Sequence, residues 1–209
     1  PGETANRLLD RVRGDIEAIE LPSSYHFEWD GQEGTSTEAI DSLIGVVPLG
    51  VIGMVLVVIV LFNAVRQPVI IFMIVPLAII GVTIGLLITG IAMEFIAILG
   101  VLSLSGLLIK NAIVLVDQMD IEIGEGKPRF DAIIEAAYDR ARPVILSSLT
   151  TVLGVIPLLF DAFFKAMAVV LAFGLAFGTV LTLFVVPVLY AIFFKIGPDE
   201  TAAEPQGAS

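Results

Sequence analysis

A single lysine, Lys110, interrupts the run ILGVLSLSGLLIKNAIVLV (residues 98–116), which is otherwise apolar or small and long enough to cross a bilayer. A lone ammonium at the centre of a membrane helix costs about 2.5–3.5 kcal/mol on insertion scales, so such a residue ordinarily faces protein or a watery path and has a partner. Proton or ion coupling is the chemistry that fits. Snorkelling is the competing reading: Lys110 stands about 10 Å inside the end marked by Asp117, and its stem almost reaches the interface. Ser103, Gly106 and Lys110, spaced i, i+3 and i+7, share one helical face, and Asn111 follows the lysine. Gly106 leaves room beside the ammonium for another helix. Farther along, Ser147, Thr151 and Gly154 share a second face, and Ser147 lies about 6 Å past Pro143. These depths let Lys110 and Ser147 meet directly or through one water. Ser148 and Thr150 read as hydroxyls used in helix packing. An ammonium at depth also wants a carboxylate, and no Asp or Glu lies deep in an apolar stretch of this chain; Glu94 stands at the end of one. Its partner is therefore expected on a span encoded upstream.

The elements that position these residues are membrane helices. Residues are 57% hydrophobic and mean hydropathy is +0.98, which excludes an ordinary soluble domain. The fold class expected is an all-α polytopic membrane protein. Its five transmembrane helices lie at about 43–62, 69–89, 95–116, 143–160 and 166–194, preceded by a short α/β fragment over residues 1–42. In that fragment Leu8, Leu9, Val12, Ile16 and Ile19 recur at helical spacing, and Leu21-Pro22 ends the helix. Tyr25, Phe27 and Trp29 then alternate with polar residues as in a strand, and Asp30-Gly31 marks a turn. Helix plus strand is too little to bury its own core, so the chain reads as the C-terminal part of a longer protein. Arg66-Gln67-Pro68 and Thr89-Gly90 read as loops between spans. Over residues 129–141, Phe130, Ile133, Ile134, Ala137, Tyr138 and Ala141 form one face of an amphipathic helix expected along the cytoplasmic interface. Residues 196–209, rich in Pro, Gly, Ala and Glu, read as a disordered cytoplasmic tail. Gly81, Gly85 and Thr89, and likewise Gly174 and Gly178, form small faces that permit close helix packing.

The formal net charge of −11 resides mainly in residues 1–42 and the tail, leaving the membrane region nearly neutral and no basic surface for nucleic acid. Arg66, Lys127, Arg129, Arg140, Arg142 and Lys195 fall on one side of the spans and Lys165 on the other. Basic loops stay inside, so the N-terminal part is expected outside and the tail in the cytoplasm. There is no cysteine, no nucleotide-binding loop and no nucleophile–base pair. His26, the single histidine, sits at a polar strand position and reads as solvated. Neither enzyme chemistry nor a resident cofactor or metal is indicated. Metal export is disfavoured too, because the five methionines are scattered at unrelated depths and form no relay with Cys or His.

The segments SGLLIKNAIVLVDQ (Ser105–Gln118) and EAAYDRARPVILSSLTTVLGVIPL (Glu135–Leu158), with LPSSYHFEWDGQ before and TLFVVPVLYAIF after them, resemble the resistance-nodulation-division efflux permeases of the hydrophobe/amphiphile type. The resemblance implies the last five of twelve transmembrane helices of a proton-driven inner-membrane multidrug antiporter, which is no enzyme. It further implies a homotrimer working with a periplasmic adaptor and an outer-membrane channel on amphiphilic substrates amid membrane lipid. By the same resemblance Lys110 matches the lysine of the proton relay and Ser147 the adjacent hydroxyl, where the family often has threonine. Arg140 matches the basic residue at the cytoplasmic mouth, and Asn111 is a further candidate. The relay's paired aspartates belong to the first half of such pumps, absent here. A lipid-exporting or protein-translocating relative, and a non-transporting scaffold or sensor in which Lys110 is structural, are the alternatives.

Overall fold

The computed structural model describes residues 5–19, 22 and 32–197, and every element among them is helical. Two compact units are distinguished, residues 1–50 and 51–209. In the first, α1 (Ala5–Glu17) follows the helical spacing, and Arg13 Nε donates to Glu17 at 3.0 Å one turn on. The expected strand at Tyr25, Phe27 and Trp29 lies outside the described residues.

The long helix α2 (Gln32–Phe62) runs through the boundary between the units. It is followed by α3 (Arg66–Phe72), α4 (Ile74–Thr89), α5 (Phe95–Gly124), α6 (Arg129–Val155), a 3-10 turn (Ile156–Phe160) and α7 (Lys165–Phe194). Among the described residues, five helical stretches are long and apolar enough to cross a membrane: Ala39–Phe62, Arg66–Thr89, Phe95–Gly124, Arg129–Phe160 and Lys165–Phe194.

Several boundaries differ from those the sequence pattern gives, each for a local reason. Arg66-Gln67-Pro68 is the first turn of α3 rather than a loop, because a proline there gives up an N–H with no helical partner. The chain reverses instead at Asn63, whose φ of 47° is a left-handed conformation asparagine tolerates. α3 and α4 are separated only at Met73, four residues after Val69, whose carbonyl still accepts the Met73 N–H at 3.1 Å. Pro76 explains the interruption, since its ring opposes the carbonyl of Phe72. Residues 129–141 and the fourth span form one continuous helix, α6, with Pro143 inside it. The proline frees only the carbonyl of Asp139, an exposed residue where solvent can satisfy it. Two turns follow from local chemistry. Gly90 ends α4 at φ 67°, and Asp161 Oδ1 accepts the N–H groups of Phe163 and Phe164 at 2.8 and 3.0 Å before α7.

α7 is the central helix, packed against α4, α5 and α6. Lipid gives apolar side chains little reason to leave it, so close approach through small residues must hold these helices together. A Cβ on Gly81 would lie 2.5 Å from Phe177 Cβ, and one on Gly85 would lie 2.6 Å from Phe173 Cβ. One on Gly178 would lie 2.7 Å from Leu108 Cδ2, and Gly174 is overlain by Leu104 of α5 and Val82 of α4. The small faces seen in the sequence are therefore the contact surfaces of the α4–α5–α7 core, where Leu104, Leu108, Leu175 and Val82 are buried.

Candidate functional site

The α5–α6 hairpin carries every candidate residue. Lys110 is exposed on α5, along with Ser103, Gly106 and Asp117 on the same face. On α6, Ser147 and Gly154 are exposed, with Thr151 and Arg140 half-exposed, again on one face. A Cβ on Gly106 or Gly154 would meet nothing within 4 Å, in contrast to the glycines of the core. Neither the Lys110 ammonium nor the Ser147 hydroxyl has a hydrogen-bond or ion-pair partner among the described residues. The two are not joined to each other. The Ser147 carbonyl is taken by Thr151 Oγ1 at 3.0 Å, so that hydroxyl serves its own helix. Asn111 is half-exposed beside the lysine.

A register can nevertheless be read from one observed bond. Arg140 of α6 donates from Nε to Gln118 Oε1 of α5 at 3.0 Å, and Nη2 binds the same oxygen. The helices run antiparallel from that point. Lys110 lies eight residues along α5, about 12 Å, and Ser147 seven residues along α6, about 10 Å. The backbones at Lys110 and Ser147 thus lie at similar distances along their helices, about two helical turns from the Gln118–Arg140 bond.

Ser148, read from sequence as a packing hydroxyl, is buried, and its Oγ lies 2.7 Å from Thr179 Oγ1 of α7. This is the polar contact that fastens α6 to the central helix, with Ser147 next to it turned to the open side. Gln118 was not singled out by sequence. A glutamine just past an apolar run looks like a solvated helix end, and only its partner 22 residues away reveals its use.

The end of the bundle bearing the α5–α6 turn is densely bonded. Gln67 of α3 donates to Asp120 Oδ2 at 3.4 Å, and the Tyr190 hydroxyl of α7 donates to Asp120 Oδ1. Tyr190 stacks on Phe194 at 4.4 Å between centroids, and the Arg66 guanidinium lies 5.7 Å from the Phe194 ring. In the turn, the hydrogen bond from Lys127 to Glu122, joined by one to Glu135, holds the lysine's pKa above its ordinary value. Among the described residues no three His, Cys, Asp or Glu side chains converge as a metal site.

Residues 4–194 match the model of the AcrB/AcrD/AcrF family. The chain belongs to the AcrB/AcrD/AcrF family. Its members are RND efflux permeases, transporters rather than enzymes, and five apolar helices agree with a multi-pass membrane protein of that family. Among solved structures it is similar to a heavy metal efflux pump in two crystal forms. One matches at 27% identity with a TM-score of 0.72, over 93% of this chain and 20% of the pump. The other matches at 25% identity with a TM-score of 0.69, over 91% of this chain and 20% of the pump. The chain therefore spans one fifth of the length of the pump it resembles.

Proposed function

We propose that this chain is the C-terminal membrane portion of a proton-driven RND efflux permease of the inner membrane, and that it carries the basic and hydroxyl side of the proton relay. Lys110, Ser147 and Arg140 are the relay residues, with Asn111 beside the lysine. The observation that carries the reading is the unpartnered ammonium of Lys110 in a membrane-spanning helix, one turn from Gly106, which nothing covers. An ammonium so placed needs a carboxylate from elsewhere. A carboxylate supplied by the first half of the pump would hold Lys110 while ionised and release it when protonated. Losing one partner's charge from a buried pair changes the balance by several kcal/mol, enough to drive a rigid shift of helices.

Arg66, Lys127, Arg129, Arg140, Arg142 and Lys195 all belong to turns or helix segments at the hairpin end, and this supports a cytoplasmic location for it. Trimer formation, a periplasmic adaptor and an outer-membrane channel complete the proposed assembly.

Amphiphiles are the proposed substrates, because a chain without cysteine, with one histidine and with scattered methionines offers no soft-metal path through these spans. Heavy-metal export is the second reading, favoured by the 27% identity to a heavy metal efflux pump. The test is expression of the full-length protein in an efflux-deficient host, comparing ethidium extrusion with tolerance to copper and zinc salts. Ethidium extrusion that disappears in Lys110→Ala supports the first reading. Metal tolerance that disappears in Lys110→Ala supports the second. Export unchanged by Lys110→Ala, or no export of any probe, would overturn the relay and return Lys110 to a structural role.

A further inference from the structure

Gln118 links the charged groups of the α5–α6 turn into one circuit. Its Oε1 accepts Nε and Nη2 of Arg140, and its Nε2 donates to Glu122 Oε1 at 2.8 Å. Glu122 is buried at 6% exposure, and its second oxygen takes the ammonium of Lys127. Lys127 also reaches Glu135 of α6 at 2.8 Å. The amide can sit only this way round, because reversing it would set NH2 against the guanidinium and oxygen against the carboxylate.

Charge is distributed unevenly along this circuit. Lys127 lies between the two carboxylates, whereas Arg140 meets only a neutral oxygen. The guanidinium is held in place, yet among the described residues its Nη1 has no partner and no carboxylate forms an ion pair with it. Counted from this bond, Lys110 and Ser147 lie at similar distances along their helices.

We propose that Gln118 is a positioning residue of the proton path: it fixes Arg140 and the α5–α6 register through a neutral acceptor, so that the guanidinium keeps its charge for the open face. The proposal rests on the relay reading above. A carboxylate at this position would bind Arg140 more tightly, because charge-assisted bonds to Arg are the stronger ones. It would also neutralise it. The added carboxylate would also meet that of Glu122 where the amide N–H now donates, so a merely structural clamp loses export only in step with folding, whereas a charge-preserving one loses more than folding accounts for.

The experiment uses the full-length pump in proteoliposomes under an imposed pH gradient, with ethidium or Zn2+ as probe according to which the wild type carries. Gln118→Glu is expected to lower the melting temperature, because its carboxylate also faces Glu122, and to lower the maximal export rate about ten-fold or more at unchanged KM, a larger loss than that of folded protein. Gln118→Met, which removes the acceptor without adding charge, is expected to lower the rate with KM unchanged, and it decides the matter if the Glu variant does not fold. A Gln118→Glu pump at wild-type rate, or one whose rate falls only in step with its melting temperature, overturns the proposal. Lys110→Ala and Arg140→Ala separate the two levels. If both export normally, the relay reading fails and the proposal with it; if both are inactive while the Gln118 variants export normally, only the role of Gln118 fails.

Discussion

Two faces of α5 make opposite use of glycine. Toward α7, Leu104 and Leu108 press onto Gly174 and Gly178 so closely that a Cβ there would overlap them. Away from α7, Gly106 sits beside Lys110 with no atom within 4 Å of where its Cβ would be. The first face is complete within this chain, since both surfaces are present and buried. The second presents an ammonium, a hydroxyl and small residues to nothing in the described structure. A surface that would be costly in lipid has its explanation in a partner that completes it. Packing glycines hold the scaffold, and open glycines lie on the face of the proposed relay.

Substitutions on the two faces should therefore separate stability from transport. The largest loss of stability is expected from Gly174→Val, because overpacking against Leu104 and Val82 costs about 1–3 kcal/mol or more. A lower melting temperature of the detergent-solubilised full-length pump is the check. Gly106→Ala, which meets no packed side chain within this chain, should lower the melting temperature less, and equal losses at the two sites would erase the distinction between the faces.

A smaller effect is expected at the adjacent serines. Ser148→Ala leaves Thr179 without its partner and should cost about 0.6–2 kcal/mol, with transport per folded molecule preserved. Ser147→Ala should do the reverse, lowering proton-coupled export without moving the melting temperature. Export assays and thermal melts on both variants sharpen the comparison to neighbouring residues on one helix.

The smallest effect is expected at Tyr190→Phe. It removes the hydroxyl that donates to Asp120 but keeps the ring stacked on Phe194, and the expected loss is about 1 kcal/mol. A melt indistinguishable from wild type would mean that the Asp120 cluster contributes little to joining α5 and α7.

Much of this contrast is written in the sequence. The pairs Gly81/Gly85 and Gly174/Gly178 announce close packing because only small residues at that spacing let helices meet. The Ser103–Gly106–Lys110 stripe likewise follows from helical periodicity, and the structure places all three on the exposed side. What the sequence hides are effects of long-range partners and of local relief. Ser147 and Ser148 are chemically equal, and only the presence of Thr179 across the helix pair makes one a packing group. Pro143 looks like a helix boundary, yet α6 continues because the released carbonyl lies at an exposed position. Gln118 looks solvated until Arg140 folds back onto it. The family's motif points to Arg140 but gives no reason to look at the residue that holds it.

As the proposed relay, the open face works only through the charge of Lys110. Proton uptake by the full-length pump in proteoliposomes, wild type against Lys110→Met, tests it most directly. Uptake is expected to fall to the level of empty vesicles at equal amounts of folded, inserted pump. A Lys110→Met pump that takes up protons at the wild-type rate would contradict it.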